Sequence, residues 1–288
     1  FKCFGYYGGM PKLNLKNPEV EKYITDVACY WIKECDIDGW RLDVGDEISH
    51  FFWKNFRKAV KAVKKDMLII GEIWHYAGDF LEGDEWDTVM NYPFYLNLID
   101  LLADEKITVS QFVQNLGYLK GRLHKNCYPL MWNLIDSHDT ARFLHLCNDN
   151  KKKQHLAAAF QLLLPGMPMI YYGDEYAMPG ANDPDCRRGM YWDEEYQDKE
   201  MYEWYKRLIQ VRKSHACIVE GELAGSVTED EEGTIVLIRK NGEETIAMIF
   251  NCSSSAKKFN EYTEKYNLLT ENTFDGNVEG FDAAVIVL

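Results

Sequence analysis

The chain has 288 residues, room for two domains at ~150 residues each, and is 47% hydrophobic and 14% aromatic. That composition supports a packed core and excludes disorder as the overall state. Lys and Arg number 32 against 46 Asp and Glu, a net charge of −14, which argues against nucleic acid or an anionic membrane surface as partner and suits an uncharged small molecule. No apolar run approaches the ~18 residues of a spanning helix; the longest, at 162–172, is cut by Pro165, Gly166 and Pro168. The eight cysteines are scattered without a C-x-x-C pair, so all are expected reduced, in a cytoplasmic setting. The opening FKCFGYYGGM has neither an initiator Met nor a signal peptide, and the native N-terminus is expected to lie elsewhere.

Residues 1–15 are rich in glycine and aromatics and read as loop. Asn17-Pro18 starts a helix, with Asn as N-cap and Pro at the first helical position, and Val20, Tyr23, Ile24, Val27, Trp31 and Ile32 follow at helical spacing. Residues 38–44 alternate: Trp40, Leu42 and Val44 share one face of a strand, Arg41 and Asp43 the other. Residues 48–65 return to helical period through Phe52, Phe56, Val60 and Val63. Further strands are expected at 67–72, 87–91 (the weakest signal), 130–135 and 167–172, and helices near 95–103, 110–123, 151–164 and 198–214. Strands alternating with helices imply a parallel sheet. Beyond about residue 217 two apolar runs, 234–240 and 244–250, flank Asn241-Gly242, a hairpin signal, and residues 283–288 add another strand. The expectation is residues 1–217 as an α/β region and 218–288 as a small all-β domain.

Three acids end three different strands: Asp43, Glu72 and Asp139. At the C-terminal strand ends of a parallel α/β barrel, side chains converge on one mouth. Three carboxylates there, without metal-ligand spacing, point to glycoside hydrolysis, which needs one carboxylate as nucleophile or base and another as proton donor. Any one of the three can equally be a helix cap or a solvated loop residue; their joint position carries the reading. Arg41, on the face of Asp43, keeps that carboxyl ionised, or is a plain salt pair near a sheet end. His75 and His138 can hydrogen-bond sugar hydroxyls, although a lone His is more often structural. His138 and His145 stand seven apart with no cysteine pair, which gives zinc little support. Gly5, Gly8 and Gly9 lack the G-x-G-x-x-G pattern of a phosphate loop.

The segments GWRLDV (39–44), GEIWH (71–75) and IDSHDT (135–140) resemble, in order and spacing, three signature regions of the α-amylase family of retaining glycoside hydrolases. MPKLN (10–14) looks like the signature of the cyclomaltodextrinase, neopullulanase and maltogenic-amylase branch, and NDPDCRR (182–188), after YYGDE, is similar to that branch too. The resemblance runs through essentially the whole chain. It implies a (β/α)8 TIM barrel, here strands 4 to 8, followed by a small all-β sandwich. It also makes 1–15 the tail of an inserted loop domain. It assigns Asp43 as nucleophile, Glu72 as general acid/base and Asp139 as the carboxylate that grips hydroxyls of the distorted sugar. Arg41 and His138 are implied as partners in the same subsite, Asp183 and Arg187 as binding sugar further along the donor side, and Trp74 and His75 as binding substrate beside the acid.

One departure is Gly45-Asp46, where many relatives have Ala-Asn, on the acceptor side. The first signature region, the first three barrel strands, most of the loop domain with its calcium sites and the N-terminal domain have no counterpart here. No cofactor or metal is therefore expected from this chain. An open barrel edge and apolar inner face are expected to be covered by an N-terminal half-barrel chain, by a second copy of this chain or by further residues. The substrate implied is a maltodextrin, cyclodextrin or pullulan. The alternative reading is a catalytically inactive truncated fragment, or a maltodextrin-binding protein on the same fold.

Overall fold

The computed structural model describes every residue except Lys125. By backbone packing the chain divides into two compact units, Phe1–Tyr92 with Lys120–Trp132 and Pro93–Leu119 with Asn133–Leu288.

In the first unit the glycine-rich start is held by a bridge between Cys3 and Pro11. Helix α1 (Pro18–Cys35) begins as its sequence dictates: the Asn17 side chain accepts the Glu19 N–H and Pro18 fills the first turn. Strand β1 (Gly39–Leu42), helix α2 (His50–Val63), β2 (Leu68–Gly71) and β3 (Thr88–Val89) follow. The three strands pair in parallel in the order β1-β2-β3, with Trp40 beside Ile69 and Leu42 beside Gly71. Met90 extends this sheet by a parallel bridge to Trp132. Helix α2 buries Phe52, Trp53, Phe56 and Val60, the face its periodicity marks. Its polar side is tied down as well: Arg57 and Lys61 pair with Asp87 at 2.7 and 2.9 Å, and Asp87 accepts the Ile69 N–H. No α-helix links β2 to β3; residues 72–87 cross with only the turn Gly78–Phe80.

The later elements are α3 (Tyr92–Leu98), α4 (Val109–Arg122), β4 (Trp132–Leu134), α5 (Phe143–Leu146), α6 (Lys151–Leu163), β5 (Met167–Met169), α7 (Lys199–Ser214) and α8 (Cys217–Glu220). In the second unit β4 and β5 are neighbours. Helix α6 is buried at Gln154 and from Leu156 to Leu163. The NH2 groups of its two buried amides donate to backbone: Gln154 to the Asp174 carbonyl, and Gln161 to those of Asn133 and Met169. The carbonyls at its C-terminal end meet Arg212 of α7, which donates to Leu162, Leu164 and Gly166.

The remaining strands are β6 (Glu222–Glu229), β7 (Thr234–Asn241), β8 (Glu244–Asn251), β9 (Lys257–Lys258), β10 (Tyr266–Asn267), β11 (Asn272–Thr273), β12 (Asn277–Val278) and β13 (Asp282–Val287). Six of them form a sheet in the order β11-β10-β13-β8-β7-β6, and β9 pairs β12. Asn241 faces Glu244 and Gly242 takes a positive φ of 61° at the tip of the hairpin. One face of the sheet, through Ile235, Leu237, Ile246, Met248, Phe250 and Val285, joins the core around α6 and α7. The other, through Val236, Ala247, Ile249 and Ala284, packs under Phe259, Phe274 and Val278. Burial on both faces explains why β7 and β8 read as unbroken apolar runs rather than alternating ones. This sheet and the helices α6 and α7 lie in the same compact unit.

Candidate active site

The two units carry two groups of the residues marked in the sequence.

In the first unit, β1 and β2 deliver Asp43 and Glu72 from adjacent strand ends. One guanidinium serves both: Arg41 Nη1 lies 2.5 Å from Asp43 Oδ1, and Nη2 lies 3.3 Å from Glu72 Oε2. Glu72 is 5% exposed and is held from two more sides. The Val44 N–H donates to Oε2 at 2.8 Å and the Trp74 indole to Oε1 at 3.1 Å. Trp74 stacks on Tyr92, with ring centroids 4.0 Å apart and planes 12° apart. The Asp43 side chain, by contrast, is 72% exposed. Val44 turns the chain sharply after Asp43, with φ at +45°. That conformation is costly for a β-branched residue and is sustained here by its bond to Glu72 and by the Gly45 N–H on the Glu72 carbonyl.

Trp86, 1% exposed, is a residue the sequence reading does not single out. A Cβ on Gly71 would lie 2.2 Å from its ring, and one on Gly45 2.7 Å. Both glycines next to the acid-bearing strand ends therefore rest on one indole, stacked on Phe80 at 4.1 Å. This gives the Gly45 departure a physical reason: an alanine would collide with Trp86. Asp46 pairs with His75, Oδ2 to Nε2 at 3.1 Å, and His75 is turned toward Asp46 and the Tyr76 carbonyl.

In the second unit, residues 137–140 form a tight turn after β4, with the Asp139 N–H on Ser137 Oγ and the Ser137 N–H on Thr140 Oγ1. Asp139 bonds His138 Nε2 at 3.1 Å and Arg187 Nη2 at 3.3 Å. Arg187 Nε also reaches the His138 carbonyl at 2.8 Å and Asp183 Oδ1 at 2.7 Å. The other charges of NDPDCRR are structural: Asp185 pairs with Arg188 and accepts the Ala181 N–H. Below the turn, Asp136, Arg142 and Asp174 are buried together; the sequence reading passes over them because a strand-end acid carries no mark of burial. Among the described residues no group of three or more His, Cys, Asp or Glu side chains is arranged to hold a metal ion.

Residues 3–197 match the family model described as alpha amylase, catalytic domain. The chain is 45% identical over 256 residues to a cyclomaltodextrinase of Geobacillus thermopakistaniensis, covering 89% of this chain and 44% of that one. It is 43% identical over 249 residues to an intracellular maltogenic amylase of Bacillus subtilis, covering 86% of this chain and 42% of that one. A solved cyclomaltodextrinase superposes with a TM-score of 0.93 at 34% identity, over 99% of this chain and 52% of the other. The chain thus spans less than half the length of the curated relatives it matches. No helix among the described residues is long and apolar enough to cross a membrane.

Proposed function

The chain belongs to the α-amylase family, with later strands of its TIM barrel and a C-terminal antiparallel domain, and from that premise we propose that the protein hydrolyses α-1,4-glucosidic bonds in cyclodextrins, pullulan or short maltodextrins with retention. We divide it at residue 217 into barrel and β domain and place it inside the cell, a reading supported by the name of its Bacillus subtilis relative.

The observation that carries the mechanism is the single guanidinium of Arg41 ion-paired with both Asp43 and Glu72. A retaining enzyme needs its two carboxyls ~5 to 5.5 Å apart, and the shared guanidinium is the contact that draws these two strand-end carboxyls together. Asp43 attacks the anomeric carbon while Glu72 gives its proton to the departing glycosidic oxygen; the old C–O bond breaks and an Asp43 ester forms. Glu72, now a carboxylate, takes a proton from water as the water oxygen displaces Asp43. The Val44 N–H and the Trp74 indole, both donating to Glu72, fix the orientation of its carboxyl. Arg41 pairs with the Asp43 carboxylate and orients it toward the anomeric carbon. Asp139, with His138 and Arg187, holds sugar hydroxyls; Asp183 orients Arg187. Trp74 and His75 bind substrate beside the acid. No cofactor takes part.

The test is turnover of cyclodextrin and maltotriose by the protein in its complete natural form, with product anomers followed by NMR. The expected product is the α-anomer. Glu72→Gln should lower turnover by about 10²- to 10⁴-fold; near-normal turnover in that variant removes Glu72 from its role, and β-anomer released first contradicts retention.

A further inference from the structure

The turn that carries His138 and Asp139 stands on a buried cluster that no step above uses. Asp136, two residues past β4, is 1% exposed; Asp174, which opens the turn after β5, and Arg142, at the N-terminus of α5, are fully buried. Arg142 Nη1 bonds Asp174 Oδ1 at 3.1 Å, while its guanidinium lies over the rings of Tyr171 and Tyr172 at 4.5 and 5.0 Å. Asp174 Oδ2 accepts the Tyr171 N–H, and Asp136 Oδ1 accepts the Phe143 N–H. Asp136 Oδ2, like Arg142 Nε and Nη2, is buried without a hydrogen-bond partner among the described residues, and the Asp174 carboxyl is its neighbour.

Two carboxylate oxygens cannot face one another as acceptors only. Two carboxyls against one guanidinium also leave a net negative charge in a fully buried site, a costly arrangement. One proton between the carboxyls removes both problems and makes the cluster neutral. We propose that Asp136, Asp174 and Arg142 form one unit holding a single shared proton, and that this unit positions the turn presenting His138 and Asp139. The proton sits on Asp136 and is donated to Asp174, because Asp174 already has Arg142 and a backbone N–H as partners. Burial, then the neighbouring Asp174, pushes the Asp136 carboxyl well above its ordinary range; burial raises Asp174 as well. The other titratable groups facing the pair do not offset this. Tyr205 of α7 and Cys147 after α5 are held neutral by burial, Tyr171 is pushed up by burial, and Glu175 adds negative charge, which strengthens retention of the proton.

The positions served follow from the chain. Asp136 anchors the start of the 137–140 turn and Arg142 its end. The Arg142 N–H bonds the Gly180 carbonyl, which opens the segment carrying Asp183 and Arg187. Loss of the shared proton places an uncompensated charge beneath both segments. These are positioning residues, and their role in hydrolysis rests on the function proposed above.

The test compares the natural full-length protein with Asp136→Asn and Asp174→Asn. Difference infrared spectroscopy of the wild type at neutral pH should show the carbonyl band of a protonated, water-excluded carboxyl. In Asp136→Asn the band disappears, the amide donates to Asp174 in its place, and kcat/KM on maltotriose is largely kept, with its alkaline limb moved to higher pH. Asp174→Asn strips Arg142 of its counter-charge and should lower kcat/KM about ten-fold, with faster hydrogen exchange at residues 137–142. A wild type without the band, an unmoved alkaline limb in Asp136→Asn, or equal damage from the two variants overturns the proposal. If the wild type turns over no maltotriose, the functional reading fails instead, while the infrared band and the exchange rates still decide the triad.

Discussion

Trp74 governs how Glu72 points. Its indole donates to Oε1 at 3.1 Å, and its ring is fixed in turn by Tyr92. Trp74→Phe keeps the stacking and deletes the donor. A hydrogen bond to a charged group contributes about 1.5–3 kcal/mol, so kcat on maltotriose should fall roughly ten-fold with stability little changed; an unchanged kcat would show that the Val44 N–H and Arg41 hold Glu72 by themselves. At this scale the sequence reveals residues that carry a motif and conceals those that only touch one. Asp43, Glu72 and Asp139 stand at strand ends in recognisable words, and Arg41 beside Asp43 follows from strand alternation. Trp86 leaves no such mark, because its effect is written as the absence of a Cβ on Gly71 and Gly45. Asp136 and Asp174 look like any other acids at strand ends until burial is known.

At the scale of elements, the Gly71–Trp86 contact joins packing to the site. A methyl group on Gly71 would meet three ring atoms of Trp86 at 2.2–2.6 Å, and Trp86 is enclosed by Trp53 and Phe80. Gly71→Ala should destabilise the protein by about 1–3 kcal/mol or more, the range of overpacked cores, and Trp86→Leu in the same chain should recover part of the loss. Thermal unfolding of the single and double variants measures this; additive losses would exclude the contact as the cause. The helices and longer strands were legible because period and caps agree: Asn17-Pro18 opens α1, and Asp198, whose side chain accepts the Met201 N–H, opens α7. What escaped is what has no period. Strands β9 to β12 are two residues each, too short to alternate. The π-helical turn at Ile99–Ala103 continues α3 without a break in the sequence pattern. The left-handed Val44 runs against its own side-chain preference, and its partners are 28 residues away.

At the scale of the whole molecule, buried titratable groups set how stability varies with pH. Burial pushes His155 down from 6.5 to about 4, while its ring stacks on Trp204 at 3.8 Å. The folded state thus binds this proton less readily than the unfolded chain does. Its contribution is fully present above pH 6.5 and is lost as pH falls toward about 4. His155→Phe keeps the stacking and should flatten that acid loss of Tm; identical slopes in the two proteins would remove His155 as its source.

The central claim is a covalent glycosyl-enzyme formed by Asp43 and resolved by Glu72. The most direct measurement is intact and peptide mass spectrometry of the natural full-length Glu72→Gln variant mixed with α-maltosyl fluoride, whose leaving group needs no acid. A maltosyl adduct should accumulate on the peptide containing Asp43, because the variant lacks the base for the second step. An adduct on another carboxyl, or release of β-maltose without any adduct, would contradict it.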